Sequence, residues 1–79
     1  MLPWIFTRRD AVLTCELATN TAGGYDVCLV PHWDVAAAAI ERFDAAVSAL
    51  RRHAELVALL RENGWELESR GRRAFRRAA

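Results

Sequence analysis

Seventy-nine residues, 53% of them hydrophobic, with eleven arginines, no lysine and ten acids, describe one domain with little net charge. A chain of this size buries only about 60–65% of its unfolded surface, so a second copy is the expected reinforcement where staples are lacking. No apolar run approaches the roughly 18–20 residues that span a membrane. The charges of Met1–Arg9 follow its apolar residues, unlike a secretory leader, and Cys15 and Cys28 allow at most one disulfide. A cytoplasmic setting with free thiols and no membrane contact is therefore expected.

Taken in order, Leu2–Arg8 is short and rich in apolar and aromatic residues, which predicts a strand with Trp4 and Phe6 on one face and Ile5 on the other. Arg9-Asp10 supplies a turn. Ala11–Thr19 alternates cleanly, with Leu13, Cys15 and Leu17 against Thr14, Glu16 and Ala18. Asn20–Gly24 ends in two glycines that permit the positive φ of a tight hairpin. Tyr25–Pro31 is a third strand whose two faces are both apolar, Val27 and Leu29 on one, Cys28 and Val30 on the other; Pro31 ends it. If Leu13, Cys15 and Leu17 meet Val27 and Leu29 on the core side, the two cysteines lie on opposite faces and cannot pair; a one-residue shift of register would reverse this.

Residues 32–43 admit two readings. In one, Asp34 caps a helix that starts with the alanine run and continues to Glu62. In the other, Pro31–Asp34 turns, Ala36–Phe43 is a fourth strand, and Asp44 caps a shorter helix over 45–62. A helix over 35–62 would be about 42 Å long, whereas the shorter one is about 27 Å, close to the about 24–30 Å of strands of seven to nine residues. Propensity favours the first reading and matched lengths the second. In either, Phe43, Val47, Leu50, Ala54 and Val57 form a stripe at helical spacing, widened by Leu56, Leu59 and Leu60. Asn63-Gly64 stops the helix, and Trp65 is placed to fold back on Leu59 or Leu60.

The set Trp4-x-Phe6, Tyr25-x-x-x-Leu29, Glu41-Arg-Phe43 and Arg52-x-x-Glu55-Leu56-x-x-x-Leu60-x-x-x-Gly64-Trp65-x-Leu67 resembles a group of small, uncharacterised bacterial proteins over roughly residues 4–67. The resemblance implies a strand meander followed by a helix ending in Gly-Trp, with a strand before the Phe that follows a glycine-containing turn. This chain has His32-Trp-Asp34 and the alanine run in that place. No activity comes with the resemblance.

The expected architecture is α+β: an antiparallel meander of three or four strands, then one C-terminal amphipathic helix packed on one sheet face, over residues 1–68, with an arginine-rich tail over 69–79. No catalytic, cofactor or metal residues are assigned. Cys28, His32 and Asp34, with or without Cys15, lack the paired short spacings of a zinc site. Glu16 beside Cys15 raises a thiol pKa and works against a nucleophile. One helix covers one sheet face, so Trp4, Phe6, Cys28, Val30 and Trp33 are candidates for self-association in a homodimer. The chain to Glu68 holds ten acids and six arginines, net −4, and the tail five arginines and no acid, net +5. Arg70, Arg72, Arg73, Phe75, Arg76 and Arg77 are therefore candidates for contact with single-stranded nucleic acid or an acidic partner. The expected function is a non-catalytic, homo-oligomerising interaction module, with single-stranded nucleic-acid binding through sheet aromatics and the tail as the alternative.

Overall fold

In a computed structural model of the chain, residues 2–70 are described. β1 (Trp4–Arg8), β2 (Ala11–Thr19), β3 (Tyr25–Pro31) and β4 (Ala39–Phe43) form an antiparallel meander. Helix α1 (Ala46–Glu62) then crosses one side, and β5 (Glu66–Ser69) returns to pair with β1. The strand order is β4-β3-β2-β1-β5. The α+β class and the meander are as expected. Among the described residues the sheet has five strands, however, not three or four.

Each hairpin follows from local chemistry. The β1–β2 turn is made by Arg9 at φ 57°. The β2–β3 turn is organised by Asn20, whose Oδ1 accepts from the amides of Ala22 and Gly24 at 3.0 Å and whose Nδ2 donates to Asp26. Gly23 takes φ 89°, and a Cβ on Gly24 would stand 2.6 Å from the Phe43 carbonyl oxygen. The register sets Cys15 opposite Leu29 and Leu17 opposite Val27, so Cys15 faces the helix, Cys28 faces away, and both are free thiols.

Residues 32–43 resolve as the turn-and-strand reading. One 3₁₀ turn, Val35–Ala37, takes up the start of the alanine run, and β4 begins at Ala39 instead of Ala36. Asp44 does not cap α1; Ala45 holds that position, with no side-chain hydrogen bond. The other end matches the Asn63-Gly64 signal. The Trp65 amide donates to the Leu60 carbonyl at 3.0 Å and the Gly64 amide to that of Arg61 at 3.2 Å. Gly64 is at φ 88°. These are the paired bonds of a Schellman stop, and they seat Trp65 in the core beside Leu60.

The helix is rotated from the expected stripe. Val47 and Leu50 are 65% and 50% exposed and Ala54 is exposed, while Ala49, His53 and Val57 are buried, with Leu56 and Leu60 beside them. Ala49 brings the helix close over Leu17 and Val27, and His53, only 3% exposed, satisfies itself beneath the helix. Its Nε2 donates to the Cys15 carbonyl at 3.2 Å, and its ring meets the Trp4 ring edge-on at 5.0 Å. A hydrogen-bonded imidazole thus takes an inward place that hydrophobic spacing alone would give to an aliphatic residue. The core runs along this side as two clusters, Phe6, Leu13, Cys15, Val57 and Trp65, then Leu17, Val27 and Ala49.

Candidate functional site

Strand alternation sends every second residue to the side of the sheet that α1 leaves open. The register arranges those residues in rows. Ile5 lies opposite Thr14, and Thr14 opposite Val30; Glu16 lies opposite Cys28, and Cys28 opposite Ile40; Ala18, Asp26 and Arg42 follow. Thr7 lies between Val12 and Glu66. The result is an apolar patch of Ile5, Val12, Cys28, Val30 and Ile40, with Ile40 58% exposed. Within this face the Thr14 hydroxyl, between Ile5 and Val30, meets the His32 Nε2 at 2.7 Å. Arg42 leans on Asp26 at 3.7 Å.

Of the residues expected at a self-association surface, Cys28 and Val30 lie on this open side. Phe6 is fully enclosed and Trp4 half-buried, both on the helix side. Trp33 is 63% exposed, but it stacks on Trp65 at 6.1 Å between ring centroids, which puts it at the helix end of the covered side. The five residues therefore do not form one surface.

The four aromatic residues of the strands, Trp4, Phe6, Tyr25 and Phe43, all belong to the clusters beneath α1. Their arginine partners are there too. The Arg8 guanidinium lies 4.7 Å over the Trp65 ring, and that of Arg70 lies 4.8 Å over Trp4. Arg8 also donates to the Asn63 carbonyl at 2.9 Å, tying β1 to the helix stop. Of the tail residues suggested for nucleic-acid contact, Arg70 alone is described; Arg72, Arg73, Phe75, Arg76 and Arg77 lie outside the described residues.

The thiols are not activated. Burial, with Cys28 adding to it, pushes the Cys15 thiol up to about 11, against a small lowering by Arg52. Burial and the carboxylates of Asp26 and Glu16 push Cys28 up as well. His53 bonds the Cys15 backbone and not its sulfur. Among the described residues no three His, Cys, Asp or Glu side chains gather as a metal site would require. No helix among the described residues is long and apolar enough to cross a membrane.

Two features of the structure were not read from the sequence. β5 carries Glu66 onto the open face, and its signal is the alternation Trp65-Glu-Leu-Glu directly after the glycine stop. The inward place of His53 is marked by the four-residue spacing Ala49, His53, Val57. No known protein family, curated protein or solved structure matches this chain.

Proposed function

We propose that this protein is a small non-catalytic module that assembles with a second copy of itself through the side of the sheet opposite α1. The observation that supports this is the apolar patch of Ile5, Val12, Cys28, Val30 and Ile40, on the side of the sheet away from α1. A sheet of five strands presents two sides, and one helix screens one of them; an apolar face of this kind is where soluble proteins place their contacts. A two-fold pairing, in which each copy offers the same face, is the simplest closed arrangement.

Single-stranded nucleic-acid binding through the sheet asks for aromatic side chains and positive charge on the open face. The described open face carries neither in excess: its strand aromatics are beneath α1, and its charges are mainly carboxylates. Size-exclusion chromatography with light scattering tests the self-association reading. A mass of two chains is expected, falling to one chain in Val30→Asp/Ile40→Asp with an unchanged circular dichroism spectrum. A monomer in the unmodified protein across the micromolar range would overturn it.

A further inference from the structure

The open face is acidic as well as apolar. Glu16 and Asp26 reach it by alternation, and Glu66 by its register opposite Thr7. Arg42 is the one basic strand residue there among the described residues, and Asp26 already partly neutralises it. Three carboxylates against one guanidinium leave this side at −2, with Glu68 exposed on the same edge strand. Two bare copies brought face to face would concentrate that charge as water is expelled, and like charges brought together are unfavourable. A basic segment between them or upon them would offset that charge.

The chain carries such a segment. Residues 71–79 hold four arginines, one phenylalanine, three alanines and one glycine, with no acid. This segment follows β5, the edge strand, whose Ser69 lies opposite Ile5. Arg70 is engaged over Trp4 on the helix side, so the segment sets out from the β5 edge of the sheet, which borders both sides. Nine residues reach at most about 30 Å when extended. From β5 to β4 there are four interstrand gaps, about 19 Å in all. Arginine also suits a mixed surface, since its stem covers apolar area while its fork pairs with carboxylate.

We propose that the arginine-rich segment 71–79 is the occupant of the open face, its guanidiniums meeting Glu16 and Glu66 and Phe75 meeting the patch of Cys28, Val30 and Ile40. The proposal rests on the reading of that face as the interaction surface and names what the surface takes.

Cys28 is a built-in reporter, because it lies on the open face between Glu16 and Ile40 while Cys15 is enclosed beneath the helix. The experiment is alkylation of the full chain by iodoacetamide, with Cys28 followed by mass spectrometry and rates expressed per thiolate. Light scattering is run on the same samples. At low salt Cys28 is expected to react slowly, and raising salt to roughly 0.5 M is expected to speed it about tenfold by screening the contact. The variant R72Q/R73Q/R76Q/R77Q is expected to show the same gain, and so is Glu16→Arg/Glu66→Arg, which changes the face and leaves the segment intact.

Protection with a mass of two chains that falls to one in the tail variant supports the segment acting between copies. Protection with a mass of one chain supports it acting within a copy and overturns self-association instead. Equal rates in the unmodified chain and both variants overturn the proposal. If those equal rates are fast the face is bare, and if they are slow a second sheet covers it without the segment.

Discussion

Gly24 shows how one hydrogen atom in place of a methyl group decides a junction. The hairpin after β2 passes so close to β4 that a Cβ at this position would lie 2.6 Å from the Phe43 carbonyl oxygen, a backbone atom that cannot swing aside. Gly24→Ala is therefore expected to destabilise the fold by about 1–3 kcal/mol, the usual cost of overpacking, read as a lower urea midpoint. Cys15 gives a pH test. Its thiol ionises at its ordinary 9.0 in the unfolded chain but is held up to about 11 in the fold, chiefly by burial. Between those values the unfolded state releases a proton that the folded state keeps, so the stabilisation present below 9.0 is lost as pH rises toward about 11. The fall in stability over that window is expected to be shallower in Cys15→Ala, measured by urea unfolding at a series of pH values; equal slopes would refute the assignment. At this scale the sequence was most legible where backbone chemistry rules, at Asn20, Gly23 and Gly64. It was least legible at His53, because a residue ranked as polar gives no sign that a strand carbonyl will satisfy it.

The elements β1 to β3 were readable because period-two alternation and glycine turns agreed. The helix was readable as an element but not in its orientation. Val47, Leu50 and Ala54 form as good a stripe as Ala49, His53 and Val57, and the choice between them is made by the sheet, which needs a small residue over Leu17 and Val27. This predicts opposite responses on the two stripes. Ala49→Leu is expected to cost roughly 1–3 kcal/mol because no space exists beneath the helix, whereas Leu50→Gln is expected to stay within about 0.5 kcal/mol. Thermal melts of both variants settle the rotation, and a larger loss for Leu50→Gln would contradict it. β5 was missed for a different reason. Four residues, two of them glutamates, carry little strand propensity, and their pairing comes from β1 offering a free edge and from Leu67 joining the core cluster. Residues 35–43 were undecidable locally, since an alanine run favours helix while the length of the layer favours a strand.

For the whole molecule, the division of charge into an acidic body and a basic end was plain in the composition, but its position on the fold was not. Only the register shows Glu16, Asp26 and Glu66 sharing a side with Ile5, Val30 and Ile40. The expectation of a two-sided apolar sheet carried over from strands to structure. Of the residues expected at a self-association surface, Cys28 and Val30 alone lie on the open side, because an aromatic residue at the start of a strand is as suitable for the core as for a partner.

The pairing of β5 with β1 closes a loop that the linear order hides. Trp4 and Arg70 stand side by side, ring against guanidinium, so the entry and exit of the described fold are neighbours in space although 66 positions separate them. A covalent bridge of a few glycines between them would span almost no distance, and the chain can then be opened elsewhere. A circularly permuted version that begins at Gly23 and ends at Ala22 is expected to melt in a single transition with the same strand neighbours. Loss of cooperative melting would show that β1 must be made before the strand it ends beside.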